Sequence, residues 1–440
     1  MKRFQIKIIS LIALAWFILP GLCHAEYDYI DINNPFLRKI PLAIPVFSNI
    51  ADTKTKKRVL KKASDLLSKT LEFTGYFKML DRGAFLIDPD NPPLITPKIN
   101  FNNWVSIGAE LLITGGLSVK KNTIIMELRL FDTFKGKRLV GKKYEGPTGD
   151  LRKMILRFSS EVIYHLTGNR GVFNSKIAFI SKGSGNKEIF ICDFDGSNIK
   201  QFTQNNRINL FPAWSSDAKW IAYTSYLNGK PDIYIVNLKN KQSKTISKKG
   251  INIAPAWAPA KFELAATLSF SGDQEIYLLT GTGKIIKRLT RKWGSDVSPT
   301  WSPDGKKIAF VSNRAGSPQI YIKNIRSGQV ERLTFNGQYN TQPDWSPKGD
   351  KVAYTSLQKG RNNIFVVDIK NRQPVQLTFD SGDNEGPSWS SDGSLISFSS
   401  TREGPSRIYI MTAYGTDQRR LLFLRGEQTN PKWSPNVNND

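Results

Sequence analysis

The chain has 440 residues, 40% hydrophobic and 23% charged, enough for a sizeable core and unlike a disordered chain. Lys and Arg outnumber Asp and Glu by 63 to 37, a formal charge of +26. Two Cys and two His leave too few ligands for most zinc chemistry.

The first element reads as an export signal. "MKRFQIK" is basic, "IISLIALAWFIL" is a short apolar run, and "PGLCHA" places Cys23 and Ala25 at −3 and −1 of a cut before Glu26. This predicts a signal peptide over 1–25. Lipidation at Cys23 would need a small residue before it, and Leu22 stands there. No later segment approaches ~18 consecutive apolar residues, so a soluble protein of a Gram-negative periplasm is expected, probed by partners rather than inserted in a membrane. Removing the leader takes Lys2, Arg3 and Lys7, so 26 − 3 leaves +23, with one Cys (Cys192) and one His (His165). An internal disulfide is then excluded. Nucleic acid is the reflex partner for such a charge, but an exported protein meets little of it. Anionic lipid headgroups, phosphorylated glycans, an acidic protein partner, or charge spread for solubility fit better.

Residues 26–168 are expected to form a small α/β domain, a mixed sheet with two helices. "IPLAIPVF" (40–47) reads as a strand. Residues 53–75 place Val59, Leu60, Ala63, Leu66, Leu67 and Leu71 at helical spacing with a basic outer face. Residues 110–146 read as three strands turning at "KKNT" and "FKGK", and 149–168 as a second amphipathic helix ending at Gly168. "GNRGVFNS" (168–175) is the expected linker.

From 169 onward the chain repeats itself. "PAWSSDAKWIAYTS", "PTWSPDGKKIAFVS", "PDWSPKGDKVAYTS" and their relatives place Trp214, Trp257, Trp301, Trp345, Trp389 and Trp433 at intervals of 43 and then 44 residues. An aromatic-apolar alternation ("DIYIVNL", "QIYIKNI") and a short segment ("IKRLT", "VERLT") share the period. Four short period-2 runs per ~40–45 residues are the mark of a propeller blade. The first "KIAFIS" (176–181) lacks a Pro-x-Trp before it, and the last "PKWSP" (431–435) lacks a "KIAF" after it. The expectation is therefore an all-β six-bladed propeller over 169–440, closed by the C-terminal strand.

Strands named a (Pro-x-Trp), b ("KIAF"), c ("IYI") and d ("RLT") send tight a–b and c–d turns to one face. The longer b–c and d–a loops lie on the other. The d–a loops vary in size and charge while the strands stay regular, so they are the expected binding face.

No catalytic residue emerges. The turn motif that holds Ser302, Asp304 and Lys306 recurs at equivalent sites around the repeat, where an active site would be unique. His165 sits on a last helical turn, Cys192 in a strand, and no G-x-S-x-G, H-E-x-x-H or phosphate-loop motif occurs. The tryptophans are expected in the core. No cofactor and no metal is expected.

The export signal, the α/β domain with "WVSIGAELLITGGL" (104–117) and the "P-x-W-S-P-D-G" repeats together resemble the TolB family of the Tol–Pal system. The resemblance implies a monomeric, non-enzymatic periplasmic adaptor supporting outer-membrane integrity and cell division. Its propeller would bind the lipoprotein Pal and its mature N-terminus TolA, with other outer-membrane proteins as further partners and no nucleic acid. On the d–a loops it implies Asn209, Ile251, Ala254, Asp296, Val297, Asn340, Gln342, Asp383 and Asn384 for Pal, to which Arg207 and Trp293 of the same loops are added. For TolA it implies Glu26, Tyr27, Asp28, Tyr29, Ile30 and Asp31. Two alternatives remain: a periplasmic binder of a glycan or anionic ligand, and a propeller relative of prolyl-oligopeptidase-like peptidases. The second needs a hydrolase domain of ~200 residues, and five residues follow Pro435.

Overall fold

A computed structural model describes residues 38–50, 55–88, 92–95 and 98–436. The leader expected over 1–25 and the segment Glu26–Asp31 lie outside the described residues.

The N-terminal unit runs β1 (Ile40–Ala43), β2 (Ser48–Asn49), α1 (Lys57–Glu72), β3 (Phe77–Met79), α2 (Phe101–Ser106), β4 (Leu111–Lys120), β5 (Thr123–Asp132), β6 (Lys137–Pro147) and α3 (Leu151–Thr167). The sheet order is β3-β1-β4-β5-β6, with β2 also on β4. β1 pairs in parallel with β3 and β4, while β4, β5 and β6 are antiparallel, so the sheet is mixed. On α1, Leu60, Ala63, Leu67 and Leu71 are buried while Lys57, Lys61 and Lys62 face water, as the helical spacing demands. β4 is buried on both faces from Leu111 to Ser118. Its two glycines make that possible: a Cβ on Gly115 would stand 2.3 Å from the Phe47 ring, and one on Gly116 2.3 Å from Ile50 Cγ2. α3 ends where Gly168 turns left-handed at φ 73°, a conformation glycine adopts without penalty.

Six four-stranded sheets follow. In blade 1 the a-strand is Gln428–Trp433, from the far end of the chain, and it pairs with b (Lys176–Ser181), then c (Glu188–Asp193) and d (Lys200–Gln201). Blades 2 to 6 begin at Asn209, Asn252, Asp296, Tyr339 and Asn384. Ser434 fastens the closing strand twice: its N–H donates to the Lys176 carbonyl and its Oγ accepts from the Lys176 N–H, both at 2.8 Å.

Three devices repeat around the ring. First, b and c strands set aromatic rings opposite each other in five blades: Phe179–Phe190, Tyr223–Tyr234, Phe310–Tyr321, Tyr354–Phe365 and Phe398–Tyr409, with centroids 5.8–6.1 Å apart. Second, every a-strand bulges just before its proline. Phe211, Ala254, Ser298, Gln342 and Asn430 have φ of 51–53°, and Gly386 has 63°. Proline has no N–H for the ladder, and the register shifts there in each blade. Third, tryptophan N–H groups lace neighbouring blades. Trp214 donates to the Lys432 carbonyl (3.0 Å), Trp301 to Ala256 (3.1 Å) and Trp389 to Asp344 (3.1 Å).

The "SPDGK" stretch is a turn. Ser302 Oγ donates to Asp304 Oδ1 at 2.6 Å, Asp304 accepts from the Lys306 N–H at 3.0 Å, and Gly305 takes φ 68°. Cys192 is buried, and burial pushes its thiol pKa up, so it is inert. His165 is exposed.

Candidate partner-binding face

The two domains meet on the turn face of blades 1 and 6. Phe194, in the c–d turn of blade 1, receives Phe73 from the end of α1 and Phe173 from the linker, edge-on at 5.1 and 5.5 Å. Arg152 of α3 donates to both carboxylate oxygens of Asp195 and to Ser197 Oγ, each at 3.0 Å. In blade 6, Arg419 donates to the Phe73 carbonyl and lies over the Phe73 ring, and Lys39 pairs with Asp417 at 2.5 Å. The hydrophobic core runs without a break from Leu67 and Phe158 to Phe194, Leu421 and Trp433.

The joint is also polar. Asp193 accepts from Lys176 Nζ and Asn198 Nδ2, both at 2.6 Å, with Arg152 at 3.7 Å. Burial alone would raise its pKa; Lys176, Asn198 and Arg152 outweigh that and hold it below the usual range. A cleft of about 820 Å³ opens beside it, lined by Lys142, Arg157, Arg170 and Glu161 among others. Burial would raise Glu161 too, and Lys142 and Arg170 hold it down.

This seating leaves the opposite, d–a and b–c loop face uncovered by the described residues. Its loops are built on a repeated clamp. The first core residue of each a-strand is Asn209, Asn252, Asp296, Asn340, Asn384 or Gln428, and all six are 0–2% exposed. Most reach the start of the preceding c-strand. Asn209 donates to Glu188 at 2.9 Å, Asn252 to Asp232 at 3.1 Å and Asn340 to Gln319 at 2.7 Å, each the first residue of its strand. Asn384 donates to Asn363, the third residue of the longer strand Arg361–Asp368, at 3.3 Å. The same amides tie down their own loops, Asn252 to the Lys248 carbonyl at 2.9 Å and Asn340 to that of Asn336 at 2.7 Å. Asp296, an acid, instead accepts from Arg314 at 2.6 Å.

The structure therefore divides the eleven loop residues. Asn209, Asp296, Asn340 and Asn384 are buried clamps, and Ala254 is a buried bulge residue, so their side chains shape loops and do not present themselves to a partner. Gln342, another bulge residue, accepts at Oε1 from Thr355 Oγ1 (2.8 Å) and from the Gly386 N–H (2.9 Å). Val297 packs against the core of blades 4 and 5. Ile251 is half-buried; Arg207, Trp293 and Asp383 are exposed.

The ring axis holds a cavity of about 420 Å³ lined by the Pro-x-Trp segments of all six blades and the residues that follow them. The tryptophans are both core and lining: five are buried and Trp301 is half-buried. Across this cavity Lys432 reaches Asp344, whose other oxygen accepts the Trp389 N–H at 2.7 Å. The sequence held the signal for this pair. The middle residue of Pro-x-Trp is Ala213, Ala256, Thr300, Asp344, Ser388 and Lys432, charged at two places only. Among the described residues, no group of three or more His, Cys, Asp or Glu is placed to hold a metal ion, and no helix is long and apolar enough to cross a membrane.

Fold and joint together define a two-domain β-propeller protein, an α/β domain seated on one end of a six-bladed ring. Residues 28–139 match the TolB amino-terminal domain model and residues 163–435 the TolB beta propeller domain model; neither describes a catalytic domain. The chain belongs to the TolB family of the Tol–Pal system. Similar proteins described as Tol-Pal system protein TolB include that of Desulfosudis oleivorans, 57% identical over 286 residues, 65% of each chain. That of Syntrophus aciditrophicus is 38% identical over 222 residues, 50% of this chain and 49% of the relative. The chain thus spans 65% and 49% of the length of these two relatives. The crystal structure of TolB from Acinetobacter baumannii covers 91% of this chain and 97% of its own, with a TM-score of 0.80 at 27% identity.

Proposed function

We propose that the protein is a non-enzymatic periplasmic adaptor of the Tol–Pal system. Its loop face binds the lipoprotein Pal, and the segment Glu26–Asp31 binds TolA. The observation that carries this reading is the division of faces. The α/β domain occupies the a–b and c–d turns of blades 1 and 6, which frees the variable loops at the other end of the ring. The buried amide clamps supply a rigid frame, so a partner meets preformed loops and little ordering entropy is lost on binding. Exposed Arg207 and Asp383 and half-buried Ile251 offer a cation, an anion and an apolar contact on one face. The test is recovery of Pal from an envelope extract by the tagged, exported protein. Replacing the d–a loops by Gly/Ser should abolish recovery, while deleting residues 26–31 should lose TolA and keep Pal. Pal recovery that survives the loop replacement contradicts the reading.

A further inference from the structure

Phe335, Phe379 and Phe423 stand 44 residues apart, each directly after the buried Leu-Thr or Leu-Leu pair that ends the d segment of blades 4, 5 and 6. They are 59%, 60% and 80% exposed. The same position in blades 1, 2 and 3 holds Gln204, Lys248 and Arg291, so the fold does not require an aromatic ring there. Blade 3 adds Trp293 two residues further on, 87% exposed. Large apolar side chains this open, in one array, are uncommon on a soluble surface and mark a contact.

From this array we infer that the rim of the loop face docks directly onto a bilayer containing anionic phospholipid. The ring's repeat sets the three phenylalanines at equivalent places around its axis, just past the outermost strands of blades 4, 5 and 6. They line neither the axial cavity nor the cleft at the domain joint, so they stand as a row of anchors on the outer rim. A flat, continuous apolar phase fits such a row; a protein partner would need a separate recess for each ring. The charges point the same way. The Arg332 guanidinium lies 5.0 Å from the Phe335 ring, and that of Arg420 4.7 Å from Phe423. Arg291 and Lys292 precede Trp293, Arg425 follows Phe423, and Lys359 and Arg361 are exposed on the b–c loop of blade 5. Acids are present too: Asp380 and Asp383 beside Phe379, Glu403 paired with Arg420, and Glu427 paired with Lys182. Cations outnumber them along the arc, as they do in the whole chain. Aromatic rings with Arg and Lys at the same level suit the headgroup region, where the ring enters the apolar boundary and the cation meets phosphate. The clamping amides themselves are buried and belong to neither contact, and vesicle binding is read in the absence of Pal.

Co-sedimentation of the exported protein with phosphatidylethanolamine–phosphatidylglycerol vesicles tests this. Binding is expected there, weaker on neutral phosphatidylcholine vesicles and weaker at high salt. The triple variant Phe335→Ser/Phe379→Ser/Phe423→Ser should bind at least about tenfold more weakly, with an unchanged circular dichroism spectrum. Lipids with brominated chains should quench part of the tryptophan fluorescence, and Trp293→Phe should remove that quenching while binding persists. No binding by the parent protein, or equal binding by the folded triple variant, overturns the proposal. So does a triple variant that loses Pal recovery when the parent ignores vesicles, since the rings would then belong to a protein contact.

Discussion

Asp344 accepts a buried backbone N–H and faces Lys432 across the cavity, so it serves two groups at once. Asp344→Ala leaves the Trp389 N–H and the ammonium without this acceptor. A loss of about 2 kcal/mol is expected, read from the urea midpoint. Lys432→Met should cost less, about 1 kcal/mol, because the Lys432 side chain is one-third exposed and its stem packs equally well. Equal costs would show that the pair, and not the N–H, dominates. Asp193 predicts a pH dependence. Its folded pKa is depressed, so its contribution is complete above the ordinary carboxylate value of about 3.9 and is lost as pH falls through the lower folded value. Asp193→Asn should therefore show a flatter acid limb of stability than the parent, measured by thermal melting between neutral and acid pH; an unchanged limb would contradict this. At this scale the sequence was partly legible. The turn role of Ser302 and Asp304 and the burial of Cys192 followed from recurrence and strand context. The burial of Asn209 and its equivalents did not, because a loop asparagine looks solvent-facing until Glu188, 21 residues earlier, is seen to meet it.

The elements follow a similar division. Period-2 alternation repeated every 44 residues made the strands legible, and so did the helical spacing in α1 and α3. β3, with three residues, and α2, with six, are too short for a period to repeat often enough to announce them. Of the strand read over 40–47 only Ile40–Ala43 is strand, because the chain leaves the sheet after Ala43 and rejoins β4 at Ser48–Asn49, just beyond that stretch. The closing strand carries the strongest prediction among the elements. Ending the chain before Gln428 removes the innermost strand of blade 1, bares the edge of Lys176–Ser181 and takes the Lys432 carbonyl from Trp214. An exposed strand edge invites pairing between chains. The truncated protein should lose the cooperative melting of the parent and elute as aggregates in size-exclusion chromatography. A monomer with a sharp transition would show that the ring holds without its closure.

At the scale of the whole molecule, the α/β domain and the propeller share one core and a charged joint. That joint fixes which end of the ring is covered. The repeat predicted two faces of different character, but no single segment told which one the α/β domain would take. That choice rests on Phe73, Arg152 and Lys39, each distant in sequence from its partner in the ring. The central claim is that the uncovered loop face carries the partner. Titration calorimetry of the protein with a soluble, lipid-free Pal domain tests it most directly, using two sets of surface substitutions. Arg207→Glu, Ile251→Asp and Asp383→Lys alter the loop face; Lys219→Glu, Lys306→Glu and Lys348→Glu alter the turns of the opposite face. The account predicts at least about tenfold weaker binding for the first set together and parent affinity for the second. Full affinity in the loop-face set, or lost binding in the turn-face set, would contradict it.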